Sequence, residues 1–167
     1  SSRVDIFIEE KAFSVIEASR FLEKVKNDFM ITAHANQFTS GGLKVGVDNG
    51  AVSVDHLEVI TDPEIDYLSK SNTTGVVLPG CSLGLGIPFA PVRKLLDNNC
   101  KVAIASDWNP GSAPMGDLLM QASLLGSKEK LSNAEVLAGI TCRSANALSI
   151  EDRGSLENGK IADMIGF

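Results

Sequence analysis

Five short apolar runs punctuate the first two thirds of the chain: Val4–Ile8, Met30–Ala33, Val52–Val54, Gly75–Leu78 and Val102–Ala105. Each ends in polar, Gly or Pro residues, and their brevity and β-branched content predict buried strands. Between them, apolar residues recur at helical spacing. Val15, Ala18, Phe21, Leu22 and Val25 line one face of Ser14 to Lys26. Ser14, with Glu17 three residues on, has the form of a capping box. Gly42 to Asn49 is predicted as a second helix, stopped by Asn49-Gly50. Asp62-Pro63-Glu64 opens a third, with Pro63 at its first position. Ala90 to Asn98 is the fourth. Beyond Asp107 the pattern turns helical, over Asp117 to Leu125 and Ser132 to Leu148, the latter opened by Ser132 and Glu135 in capping-box spacing. The tail from Gly154 to Ile165 predicts a tight turn and the start of a strand. Gly80 to Gly86 is glycine-rich without the spacing of a dinucleotide fingerprint, and is expected to be a flexible loop.

The predicted strands end near Glu9, His34, His56, Leu78 and Asp107, at intervals of 22 to 29 residues. Strand and helix alternating at that period form βα units, which require a parallel sheet. A doubly wound open sheet and a (β/α) barrel both satisfy the pattern.

Composition narrows the class. The 167 residues are 44% hydrophobic and 22% charged, enough apolar material to bury a core and too much for a disordered chain. No apolar run approaches the ~20 residues that cross a bilayer, and no membrane partner is expected. The start carries neither an initiator Met nor a signal-peptide pattern. A net charge of −6, without a basic stripe, excludes a phosphate-backbone partner, so no nucleic acid is expected. Cys81, Cys100 and Cys142 are odd in number and far apart, which fits free thiols in a reducing, cytoplasmic compartment.

Chemistry is sought where side chains of adjacent parallel strands converge, at their C-terminal ends. His34 and His56, the chain's two histidines, and Asp107 occupy that position. Imidazole and carboxylate suit a divalent metal such as zinc. Other roles stay open. His34 could be a buried histidine bonded to backbone, His56 suits proton transfer better than ligation, and Asp107 could cap the turn before Asn109-Pro110. Neither HxH nor HExxH is present. The loop after Asp107 is rich in Pro, Gly and small residues, and with Asn109 and Ser112 it could hold a carboxylate.

Three segments, Ala33-His34-Ala35-Asn36-Gln37-Phe38, Val54-Asp55-His56-Leu57 and Ser106-Asp107-Trp108-Asn109-Pro110-Gly111-Ser112, resemble the amidohydrolase superfamily and, within it, the imidazolonepropionase family. Pro79-Gly80, Pro88 to Leu95 and the tail from Gly154 to Asp163 are similar too. The resemblance implies an α/β fold that is a partial TIM-type (β/α)8 barrel. Residues 1–150 would supply about strands 4 to 8, and 151–167 the start of the return to a small β-domain. The implied reaction is hydrolysis of the ring C–N amide bond of 4-imidazolone-5-propanoate to N-formimidoyl-glutamate, in histidine degradation.

The resemblance also implies roles. His34 and Asp107 would ligate one divalent ion, zinc or iron. Asp107 would also move the proton, and His56 would sit beside the reacting carbonyl. Gln37 would contact the ring, Asn109 and Gly111 would hold the substrate carboxylate, and Ser112 would touch substrate. Some members carry Glu at the position of Gln37; Gln can hydrogen-bond but cannot serve as a base. The family's HxH pair, a substrate-binding Arg, a Tyr and a further His lie upstream of Ser1 in the family pattern. A full barrel runs to ~250 residues. The isolated chain is therefore expected to be inactive and, with an open sheet edge, to form homo-oligomers. Two alternatives remain: another cyclic amidohydrolase or ring aminohydrolase, against which Asn109 to Ser112 speaks, and an inert self-associating fragment.

Overall fold

A computed structural model describes residues 2–166. Strands β1 (Arg3–Ile8), β2 (Met30–Ala35), β3 (Ser53–His56), β4 (Thr74–Val77) and β5 (Val102–Ile104) form one parallel sheet, in the order β1-β2-β3-β4-β5. That order decides between the two architectures left open. A doubly wound sheet reverses its strand order at a switch point, whereas here every strand lies beside its predecessor, as in the wall of a barrel.

The helices α1 (Val15–Val25), α2 (Gly42–Asp48), α3 (Asp62–Ser69), α4 (Pro79–Leu85), α5 (Val92–Asp97), α6 (Leu118–Glu129), α7 (Asn133–Ile140) and α8 (Cys142–Ala147) fall between and after the strands. The capping boxes at Ser14–Glu17 and Ser132–Glu135 both form. A third joins Thr61 to Glu64, so α3 begins one residue before Pro63. Alternate strand residues face the helices. Ile6, Ile8, Ile31, Ala33, Val54 and Ile104 are buried there with Leu22, Leu43, Leu68 and Leu95. Burying each of these large side chains is worth about 1.5–3 kcal/mol.

The other face of the sheet is smaller and more polar. Thr32, His34, Ser53, Asp55 and Ala103 line a cavity of about 300 Å³ on that side. Arg3 at the start of β1 donates a hydrogen bond to the Leu148 carbonyl, just past α8, at 2.8 Å.

Three expectations change. Gly80 to Gly86 is not a loop: Pro79–Leu85 is helix α4, begun by Pro79 and ended by Gly86 at a φ of 66°. Its glycines allow close packing. A Cβ on Gly80 would lie 2.5 Å from the Gln121 side chain, and one on Gly84 only 1.8 Å from the Ser112 carbonyl oxygen. The helix predicted over Ser132 to Leu148 is broken at Thr141, whose φ of −126° and ψ of −98° separate α7 from α8. The tail turns at Glu157–Lys160 and folds back through Ile161 N–H to the Asp152 carbonyl, but residues 161–166 form no strand. The three cysteines are free, and no described helix is long and apolar enough to cross a membrane.

Candidate active site at the carboxyl ends of the strands

The parallel register sets Phe7 beside His34 and His34 beside Asp55, with Ala35 beside His56. At β3's end the backbone enters the left-handed region at His56 and again at Leu57, with φ of 87° and 70°. That reversal brings the imidazole of His56 over that of His34, with ring centroids 5.2 Å apart. Asn36 and Asp107 also have positive φ. Each such residue costs on the order of 1–3 kcal/mol, and their clustering at strand ends is typical of functional sites.

His34 Nε2 lies 3.2 Å from Asp5 Oδ2, and Thr32 holds the other Asp5 oxygen at 2.7 Å. Burial works to lower the pKa of His34. The bond to Asp5 and the charges of Asp55 and Asp107 outweigh it and hold the imidazole above its ordinary value. Asp55 is pushed the other way: burial raises its carboxyl despite His34 and Ser53. His34 thus sits among three carboxylates, an environment that favours a cation.

The segment after β2 is fixed from two sides. Glu9, at β1's end, is buried, and its carboxylate accepts the backbone N–H groups of Gln37, Phe38 and Thr39 at 2.9 to 3.0 Å. Asn36 donates to Glu64 at 2.8 Å and accepts from the Leu43 N–H at 2.8 Å. Gln37, so held, donates through Nε2 to Cys81 Sγ at 3.1 Å. Burial pushes the Cys81 thiol up to about 11, so it stays protonated; Ser112 opposes the shift, while the Asp107 and Glu58 charges add to it. Asp107 and Ser112 therefore face Cys81 from β5's side.

The loop after β5 is organised by Asn109. Its Oδ1 accepts the N–H groups of Gly111 and Ser112, both at 2.8 Å. Its Nδ2 donates to the Asp107 carbonyl at 2.6 Å and to Ser112 Oγ at 2.9 Å. The two N–H groups that a free loop would offer to a carboxylate are thus already engaged. Asn109 orders the loop that presents Asp107. Trp108 is exposed, and its ring faces Gly116.

His34, His56, Gln37 and the Asp107 loop converge on one end of the sheet. Sequence reasoning missed the groups that hold them: Asp5, Glu9, Asp55, Glu58, Glu64 and Cys81. Glu9 closes a strand as His34 does, and that placement was its available signal. His56, Glu58 and Cys81 are buried, and each offers a donor atom within 4.8 Å of the other two. That trio does not include the expected pair, His34 and Asp107, and among the described residues no other three such groups lie that close together.

A parallel sheet in strand order, with imidazole and carboxylate at its carboxyl end, defines part of a (β/α) barrel whose chemistry-bearing side chains lie on the face where such barrels place their sites. Residues 27–167 match the model of an amidohydrolase family, and the chain belongs to that family. Its curated relatives include imidazolonepropionases: that of Christiangramia forsetii is 42% identical over 97% of this chain, and that of Deinococcus radiodurans 40% identical over 97%. The chain spans about 40% of the length of these relatives. Among solved structures, the fold matches a zinc-bound adenosine deaminase from Xanthomonas campestris with a TM-score of 0.77, at 21% identity over 96% of this chain and 42% of that one. It also matches an atrazine chlorohydrolase from Arthrobacter aurescens in complex with zinc, with a TM-score of 0.74, at 20% identity over 90% of this chain and 39% of that one. The fold is accordingly part of a (β/α)8 barrel of the amidohydrolase type.

Proposed function

We propose that the chain forms the carboxyl-terminal barrel half of an imidazolonepropionase, which hydrolyses the ring C–N amide bond of 4-imidazolone-5-propanoate to N-formimidoyl-L-glutamate. The observation that carries the reading is the convergence of His34, His56, Gln37 and the Asp107 loop, in a chain 42% identical to one such enzyme.

The donor set fits a divalent ion. His34 and Asp107 would hold zinc or iron, and the carboxylates of Asp5 and Asp55 add to the negative field around His34. Such an ion, when bound, supplies Lewis-acid chemistry, lowering the pKa of a coordinated water near a polarised carbonyl. The chain's own groups do the rest. Asp107 accepts the proton of the attacking water and delivers it to the ring nitrogen as the C–N bond breaks. His56 sits beside the reacting carbonyl, placed to stabilise the charge that builds on its oxygen. Gln37 orients the ring by hydrogen bonding. Ser112 touches substrate, and Asn109 and Gly111 shape the loop around its carboxylate.

The test is turnover of 4-imidazolone-5-propanoate, with product identified as N-formimidoyl-glutamate, by the full-length protein that carries this chain. Hydrolysis of a purine or triazine ring in its place would move the assignment to a ring aminohydrolase.

A further inference from the structure

We infer that Glu58 is the positioning partner of His56, fixing which ring nitrogen carries the proton. The inference rests on the proposed role of His56 and adds a residue to it. His56 Nδ1 and Glu58 Oε2 face each other at 3.7 Å, and neither atom has a hydrogen-bond partner. The side chains are 6% and 2% exposed, so bulk solvent does not reach them. Leaving two such groups unpaired costs about 1–3 kcal/mol each, and a closure of less than about 1 Å would pair them. Long contacts of this kind tighten when substrate is bound.

The surroundings prepare the pairing. Glu58 Oε1 accepts from Ser82 Oγ on α4 at 2.9 Å, so the carboxylate is fixed from behind. The two successive left-handed residues, His56 and Leu57, turn the chain so that Glu58 returns to the imidazole two residues earlier. With its proton held on Nδ1 by Glu58, the neutral ring has Nε2 as acceptor. On taking a proton it becomes an Nε2 donor whose positive charge the buried carboxylate supports. Cys81 completes the neighbourhood with a protonated thiol that accepts from Gln37. A metal ion held by His56, Glu58 and Cys81 is the competing explanation of the two unpaired atoms.

The test uses the full-length protein and three variants, Glu58→Leu, Glu58→Gln and Ser82→Ala. Imidazole ¹⁵N spectra, with His56 assigned by difference, read the tautomer, and metal analysis reads stoichiometry. In the parent protein His56 should be protonated at Nδ1. Glu58→Leu should mix the tautomers and lower kcat by roughly 10- to 100-fold with little change in KM. Glu58→Gln, which keeps an acceptor, and Ser82→Ala should fall in between. An unchanged His56 tautomer in Glu58→Leu would overturn the inference, as would loss of one equivalent of metal from that variant. The spectra decide the point even if imidazolone propanoate is not the substrate, which only the turnover assay would reveal.

Discussion

Asp107 combines a left-handed backbone, a place beyond β5 and an interaction with Asn109, and these features make it the most exacting residue of the site. Asp107→Asn keeps the shape and removes the proton acceptor, and should lower kcat of the full-length enzyme by roughly 10²–10⁴-fold. Near-normal turnover with metal retained would remove Asp107 from the reaction. Asn109→Ala should act differently. It strips the acceptor from the N–H groups of Gly111 and Ser112, so the loop loses order, KM rises, and stability falls by about 1–3 kcal/mol in a denaturant titration. At this scale the sequence exposed the residues that close strands, because alternation and chain position mark them. His34, His56 and Asp107 were visible for that reason. Asp5 and Glu58 were not, since an acid on the neighbouring strand or two residues along a reversing chain reveals its partner only once register and backbone turns are known.

Among the elements, those with a clear period were legible, and those whose reason lies in another element were not. α1 shows its capping box and apolar stripe in the sequence; the box forms, and of the stripe Ala18 and Leu22 are buried while Val15 and Phe21 stay exposed. α4 is glycine-rich because Gln121 and the Ser112 carbonyl approach it closely, and composition alone suggested a loop. The consequence can be measured. Gly84→Ala places a methyl group against the Ser112 backbone, so it should displace the Asp107 loop and reduce activity more than Gly86→Ala, which meets nothing within 4 Å despite its positive φ. A comparison of kcat and thermal midpoint in the two variants checks this. The cap of α7 gives a pH prediction. Bonds from the Ser132 backbone and hydroxyl, together with Arg93, hold Glu135 down at about 2 against an ordinary 4.5. A lowered carboxyl stabilises above the unfolded value, and that contribution is lost as pH falls through the folded one. Stability should therefore decline between about pH 4.5 and 2, less steeply in Glu135→Gln, as urea titrations at stepped pH would show.

For the molecule as a whole, the sheet leaves β1 and β5 each with one unpaired side among the described residues. Unpaired strand edges template association unless something covers them. The 167-residue chain alone should sediment as more than a monomer at high concentration, and should turn over imidazolone propanoate negligibly, since His34 and Asp107 are the only proposed ligands it contributes. A clean monomer would count against the first expectation, and robust turnover against the second. The alternation of strand and helix was legible here, but it could not choose between a doubly wound sheet and a barrel, because both arise from the same local pattern and differ only in which strands become neighbours.

That neighbour order also bears on how the protein is made. Each strand docks on the one synthesised just before it, so the sheet can lengthen residue by residue as the chain leaves the ribosome, without holding a gap for a strand still to come. Each pairing still waits for a whole βα unit, as from Arg3 to Met30, and parallel pairing of that kind is slow. The cost is a growing margin that stays adhesive at every stage of synthesis, and that margin is where a slow or crowded ribosome would let neighbouring nascent chains stick together.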